Sequence, residues 1–97
     1  MAKQAIIATI KIAADQRAAY LKHLLAHAAR CRANEPGTLR FDVLIPQKES
    51  DTIMLFELYE NQEAIQAHLN GASMKQVRAD TAGLQSAMTY VRCDFEE

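Results

Sequence analysis

Tryptophan is absent from this 97-residue chain, and glycine, proline and cysteine occur only three, two and two times. So little glycine leaves no Gly-rich loop to cradle a phosphate, and the chain also lacks G-x-S-x-G and C-x-x-C. Flavin and nicotinamide therefore find no support, and no cofactor is expected. Cys31 and Cys93 stand far apart with no secretory pattern before them. They read as reduced, buried thiols of a cytoplasmic protein. No charge of either sign dominates, the net charge being −1. The basic excess that draws nucleic acid or an anionic membrane is missing, as is an acidic tail. No run approaches the ~20 apolar residues of a membrane span. The opening "MAKQAIIATIKIAADQ" alternates where a signal peptide would carry an unbroken apolar core.

What is present is ordinary in bulk. Apolar residues make up 49 % and charged residues 24 %, as in a globular protein. The length implies a single domain over residues 1–97 whose stability alone is marginal.

The apolar pattern supplies the order of elements. "AIIATIKIA" puts Ile6, Ala8, Ile10 and Ile12 on one face of a strand. Asp15 offers an N-cap to a long helix, "QRAAYLKHLLAHAARCRAN", in which Leu21, Leu24, Leu25, Ala28 and Cys31 recur at helical spacing. "EPG" at Glu35–Gly37 ends it. "TLRFDVLIP" alternates as a second strand, with Leu39, Phe41, Val43 and Ile45 opposed to Arg40, Asp42 and Leu44. After the polar "QKESD", "TIMLFELYE" forms a third strand, apolar on both faces apart from Glu57. Asn61 caps a short helix with Ala64, Ile65, His68 and Leu69 on one side. Gly71 is placed to end it in a left-handed conformation. "SMKQ" at Ser73–Gln76 fits a capping box for another short helix carrying Met74, Val77 and Thr81. Past Gly83, "LQSAMTYVRCDF" closes as a fourth strand, Met88, Tyr90 and Arg92 opposing Val91, Cys93 and Phe95. The order β-α-β-β-α-β predicts an α+β fold of the ferredoxin-like split kind, a four-stranded antiparallel sheet with helices on one face. An RNA-recognition module shares that order, but its basic aromatic strand is missing here.

Helices on one face leave the other face of the sheet bare. Whichever side that is, strand three offers it an apolar set: Ile53, Leu55 and Tyr59, or Met54, Phe56 and Leu58. A patch of that kind marks an interface, so a homodimer with sheets packed face to face is expected.

Candidate chemistry sits in "FELYENQEAIQAH", Phe56 to His68. Glu57 lies within an otherwise apolar strand, and burying a carboxylate requires a partner or a proton. Desolvated, it is a general base; structurally, it is one half of a pair with Arg40, Arg92 or His68. His68 falls on the apolar stripe of its helix, either as a proton acceptor or as a satisfied core histidine. Phe41 and Tyr59 are candidates to stack on a flat substrate, or else core aromatics. Met74 is a candidate at the same surface, or a gap-filler like Met54. Arg40, Lys48, Lys75 and Arg78 are candidates for a phosphate, or solvated surface cations. His23 and His27 stand four apart on the long helix, but "LLA" between them lacks the glutamate of H-E-x-x-H and no third ligand is evident. No metal is expected.

"NEPGTLRFDVL" followed by "MLFELYENQEAIQAHLNGASM" resembles the antibiotic biosynthesis monooxygenase (ABM) domain family of small dimeric α+β barrels. The resemblance rests on Glu35, Pro36, Gly37, Phe41, Asp42, Glu57, Tyr59, Glu63, Ala64 and His68. It implies one of three chemistries. The first is cofactor-independent oxygenation of phenols or quinols, with Glu57 or His68 taking a proton and Tyr59 and Phe41 holding the ring. The second is haem degradation, which needs an Asn, a Trp and a His; the missing tryptophan and the lack of a histidine in the helix after His68 count against it. The third is non-oxidative handling of a phosphorylated autoinducer sugar, with Arg40 or Arg78 on the phosphate, and "LRFDVL" with its spacing to "FELYE" looks especially like that branch. A non-catalytic small-molecule-binding stress protein is a further alternative. "GASM" at Gly71–Met74 departs from the S-P-H-F or T-P-H-Y of many members, so a second histidine and an aromatic are missing there.

Overall fold

The computed structural model describes residues 2–97. Four strands, β1 (Gln4–Ile12), β2 (Thr38–Leu44), β3 (Thr52–Tyr59) and β4 (Ser86–Asp94), form one antiparallel sheet in the order β2-β3-β1-β4. Helix α1 (Arg17–Asn34) joins β1 to β2, and α2 (Gln62–Leu69) and α3 (Ala72–Asp80) join β3 to β4. The expected ferredoxin-like α+β architecture is present, with its second helix in two pieces.

Registers fix the two faces. Ile6 pairs with Glu57, Ala8 with Leu55 and Ile10 with Ile53, so these residues share the side covered by helices. Phe41 lies opposite Glu57 and Val43 opposite Leu55 on that side. Ile6, Ala8, Ile10, Phe41, Ile53, Leu55 and Tyr59 join Tyr20, Leu24, Ala28, Cys31 and Ile65 in the core.

Several local expectations need correction. A 3-10 turn over Ala14–Gln16 precedes α1, whose N-cap is Gln16; no side chain caps the helix, Asp15 included. The buried stripe of α1 is Tyr20, Leu24, His27, Ala28 and Cys31. Leu25 is 51 % exposed and Leu21 only partly buried. The helix is thus rotated so that a tyrosine and a histidine, rather than two leucines, meet the sheet. In β2 a bulge falls between Thr38 and Arg40, which pair with the adjacent residues Tyr59 and Leu58. The extra residue, Leu39, is turned outward and exposed, and Thr38 takes the buried place. Ile45 lies beyond the end of the strand.

The joint between α2 and α3 also differs from expectation. No glycine among the described residues has a positive φ. Helix α2 closes with a tight bond from the Gly71 amide to the His68 carbonyl, and Gly71 (φ −79°) then serves as N-cap of α3. Ser73 therefore lies inside the first turn, and no capping box forms. Asn61 does cap α2, its side chain accepting from the Ala64 amide at 2.9 Å. Gly37 is needed for space: a Cβ there would collide with the Cβ of Ala64 and stand 3.3 Å from its Cα. No helix of the described chain is long and apolar enough to cross a membrane.

Candidate active site

The helices cover β2, β3 and β1 but stop short of β4. Every residue of β4 except Cys93 is exposed. A cavity of about 350 Å³ opens where the cover ends. Its floor is sheet (Ile6, Ala8, Phe41, Leu55, Glu57) and its roof is helix (Leu24, His27, Ile65, His68, Met74, Val77). Met88, Tyr90 and Arg92 from β4, with Arg78 from α3, also line it. The wall is largely apolar with a few convergent polar groups, the usual composition of a small-molecule site.

Glu57 lies on the helix-covered face, 7 % exposed. Its Oε1 accepts a hydrogen bond from the Tyr59 hydroxyl, on the same strand and face. Burial raises the Glu57 pKa above its ordinary value; the Tyr59 bond, the charge field of His68 and that of Glu35 act on it less strongly, the first two downward and the last upward. Burial and the neighbouring Glu57 carboxylate push the Tyr59 phenol the same way, so it stays protonated and keeps donating.

His68 reaches the same point from α2. Its Nε2 stands 3.9 Å from Glu57 Oε1, and its Nδ1 donates to Glu35 Oε1 at 2.8 Å. Glu35, just past the end of α1, also accepts from Thr38 Oγ1 at 2.8 Å. The imidazole is thus held between two carboxylates, one in the cavity wall and one nearer solvent. The strand-to-helix turn capped by Asn61 and the contact of Gly37 with Ala64 bring these groups together.

Behind His68 lies a cluster that the sequence pattern did not single out. His27 is 2 % exposed, and its Nδ1 shares a hydrogen bond of 2.8 Å with Ser73 Oγ, which also accepts from Arg30 Nε at 2.9 Å. Desolvation, then the charges of His68 and Arg30, lower its pKa to about 4, so its imidazole is neutral at neutral pH. Cys31 Sγ lies 3.6 Å from Nδ1 of both His27 and His68. Burial, then the Glu35 carboxylate, pushes the Cys31 thiol up to about 12. His23 points away from the sheet side and lies 3.9 Å from Asp80. The i, i+4 spacing drew attention to His23 with His27, but the inward neighbours of His27 are Ser73 and His68 from other elements and Cys31, four positions further along α1.

Of the residues singled out from sequence, Glu57, His68, Phe41, Met74, His27, Arg78 and Arg92 line the cavity, whereas Lys48 and Lys75 are exposed away from it. Tyr59 does not line it: it is fully buried behind Glu57 and positions the carboxylate instead of facing a ligand. Arg40 stands on the opposite face of the sheet, paired with Asp42 at 2.9 Å. The parity of β2 puts it there, since its neighbour Phe41 faces the helices. Arg78 and Arg92 are the guanidinium groups that reach the cavity.

The sequence profile of the family described as antibiotic biosynthesis monooxygenase (ABM) matches residues 4–80. No curated protein matches the chain. Among solved structures, a candidate antibiotic biosynthesis monooxygenase from Caulobacter crescentus is 26 % identical with a TM-score of 0.91, over 99 % of this chain and 92 % of that one. A Pseudomonas aeruginosa protein is 21 % identical with a TM-score of 0.89, over 100 % of this chain and 97 % of that one. A Bacteroides thetaiotaomicron protein described as a possible oxidoreductase is 19 % identical with a TM-score of 0.86, over 97 % of this chain and 98 % of that one. The last two likenesses concern the fold.

Proposed function

The chain belongs to the antibiotic biosynthesis monooxygenase family, and from that premise we propose a homodimeric, cofactor-independent monooxygenase acting on a small phenolic, quinolic or otherwise enolisable compound. The observation that carries this reading is a desolvated carboxylate, Glu57, in the wall of an apolar cavity, with His68 Nε2 3.9 Å away. A carboxylate with a raised pKa is a stronger base, and one suited to a weakly acidic O–H or C–H.

In the proposed reaction Glu57 takes a proton from the substrate, with Phe41 against the ring. The resulting anion passes one electron to O₂, giving superoxide and a substrate radical, and these combine in a C–O bond. The peroxide then loses water. A CH₂ carbon becomes a carbonyl: one oxygen atom is kept, and the other leaves as water with the two hydrogens the carbon has lost. Tyr59 holds Glu57 in position, and Glu35 orients His68.

A dimer is supported by the bare face of the sheet. Phe56, Ile7 and Val91 stand side by side across β3, β1 and β4, with Ile7 and Val91 exposed. Leu44 and Met54 extend this row. Such a contiguous apolar surface is characteristic of an interface.

Arg78 and Arg92 on the cavity wall favour a second reading, a non-oxidative isomerase of a phosphorylated sugar using the same base. Oxygen uptake with a panel of quinols and phenols decides between them. Turnover that consumes O₂ and falls in Glu57→Gln supports the oxygenase. Turnover under argon that depends on Arg78 supports the isomerase. Ligand-induced thermal stabilisation without product would leave a binding protein, and oxygen uptake unchanged in both Glu57→Gln and His68→Ala would remove the residue assignment.

A further inference from the structure

We propose that His27, Cys31 and His68 form a binding site for zinc at the inner end of the cavity. The three donors come from two elements, α1 and α2, and one ligand atom from each lies within 4.8 Å of the others. Cys31 Sγ is 3.7 Å from His27 Nε2 and 3.6 Å from His68 Nδ1. A tetrahedral zinc with bonds of about 2.3 Å to sulfur and about 2.1 Å to nitrogen places those atoms about 3.6 Å apart. The two sulfur–nitrogen edges hold the spacing that the ion requires; the His27 ring, whose two nitrogens lie 3.6 and 3.7 Å from Sγ, turns to aim Nε2, and the two imidazole nitrogens, within 4.8 Å, close to about 3.4 Å around it.

The surroundings fit the donors. Ser73 Oγ, 2.8 Å from His27 Nδ1, accepts that N–H and leaves Nε2 as the donor to the ion, the outer-shell contact common at zinc-bound histidine. Glu35 Oε1, 2.8 Å from His68 Nδ1, lies at the edge of the three-donor group as an oxygen that can approach the ion. Glu57 adds a second carboxylate on the cavity side, with Arg30 beside the cluster and Arg78 and Arg92 on the cavity wall. His27 and His68 line the cavity, which gives the ion its way in. On binding, the Cys31 thiol releases its proton to solvent, and His68 moves its proton from Nδ1 to Nε2. A thiolate with two imidazoles selects zinc over magnesium or calcium. The site does not depend on the proposed oxygenase chemistry, but zinc engages His68 and so suppresses any turnover that uses it.

The test is a titration of the reduced full chain with Co²⁺, then Zn²⁺. One equivalent of Co²⁺ is expected to give a thiolate-to-cobalt charge-transfer band and visible bands of tetrahedral intensity, both erased by Zn²⁺. The bands are expected to vanish in Cys31→Ser and His27→Gln and to persist in Cys93→Ser and His23→Gln. A spectrum without the thiolate band, or one that survives Cys31→Ser, overturns the site. Should Cys31→Ser fail to fold, imidazole nitrogen NMR of the unaltered chain decides. Zn²⁺ is expected to move the His27 and His68 resonances and leave His23 in place; a shift confined to His23 refutes the proposal.

Discussion

The Tyr59 hydroxyl donates to the Glu57 carboxylate two positions earlier on the same strand and face. The pair forms a rigid unit: the strand backbone sets the separation, and the phenol is too buried to ionise. Substituting the donor leaves a buried oxygen short of a partner. In Tyr59→Phe the acid limb of the kcat/KM profile is expected to move to higher pH, because the contact that lowers the Glu57 pKa is gone while burial remains. Stability at pH 8 is expected to fall by about 1–3 kcal/mol in urea titrations. An unshifted limb would mean that another group sets it.

Glu57→Gln is expected to separate activity from stability. Loss of a general base costs roughly 10²–10⁴ in rate. The folded state holds the Glu57 proton more tightly than the unfolded state, so its contribution to stability is present at low pH and lost as pH rises through the raised folded pKa. The glutamine has no such dependence. Its melting temperature at pH 8 is expected to equal or exceed that of the unaltered chain, and a clear drop would count against a strained carboxylate.

His27 acts with the opposite sign. Unfolded, it binds a proton near 6.5; folded, only near 4. Its contribution to stability is whole above pH 6.5 and is lost as pH falls toward 4, amounting to about 3 kcal/mol across that window. Urea midpoints measured from pH 7 to pH 4 check this. In His27→Gln the slope is expected to flatten, and a slope that survives unchanged assigns it to another group.

Much of this site was legible in the sequence, and the reasons differ by residue. Alternation in β1 and β3 gave the two faces, because side chains in a strand have a strict period of two. The Asn61 cap placed the turn that carries His68 to Glu57. The face of β3 that meets the helices could not be read, since both are apolar. The inward place of His27 could not be read, because a helix with many alanines shows little contrast between its faces and the spacing pairs His27 with the outward His23. The position of Leu39 was missed because a bulge leaves no mark in an alternating string. Gly71 and Ser73 were misplaced by one cause: the chain turned from α2 into α3 through a 3-10 bond, not through a left-handed glycine.

The approach of Gly37 to Ala64 gives a prediction that concerns the joint alone. Gly37→Ala forces β2 and α2 apart and is expected to cost about 1–3 kcal/mol. Removing the opposing methyl in Ala64→Gly is expected to recover part of that loss in the double variant, beyond what additivity gives. Strict additivity in denaturation experiments would show that the two residues do not collide.

Ile7 sits between Phe56 and Val91 on the bare face of the sheet. Sedimentation at micromolar concentration is expected to show a dimer, and Ile7→Lys a folded monomer. A monomeric unaltered chain removes the interface.

The unequal cover over the sheet has a consequence for divergence. Glu57 and Tyr59 stand on β3, buried among core residues, whereas Met88, Tyr90 and Arg92 stand on β4, where Tyr90 is 61 % exposed. Exchanges on so bare a strand typically alter stability by less than about 0.5 kcal/mol. Selection can thus rewrite the rim of the cavity while the Glu57–Tyr59 floor stays fixed, and a library confined to those three positions would vary the cavity mouth on an undisturbed scaffold.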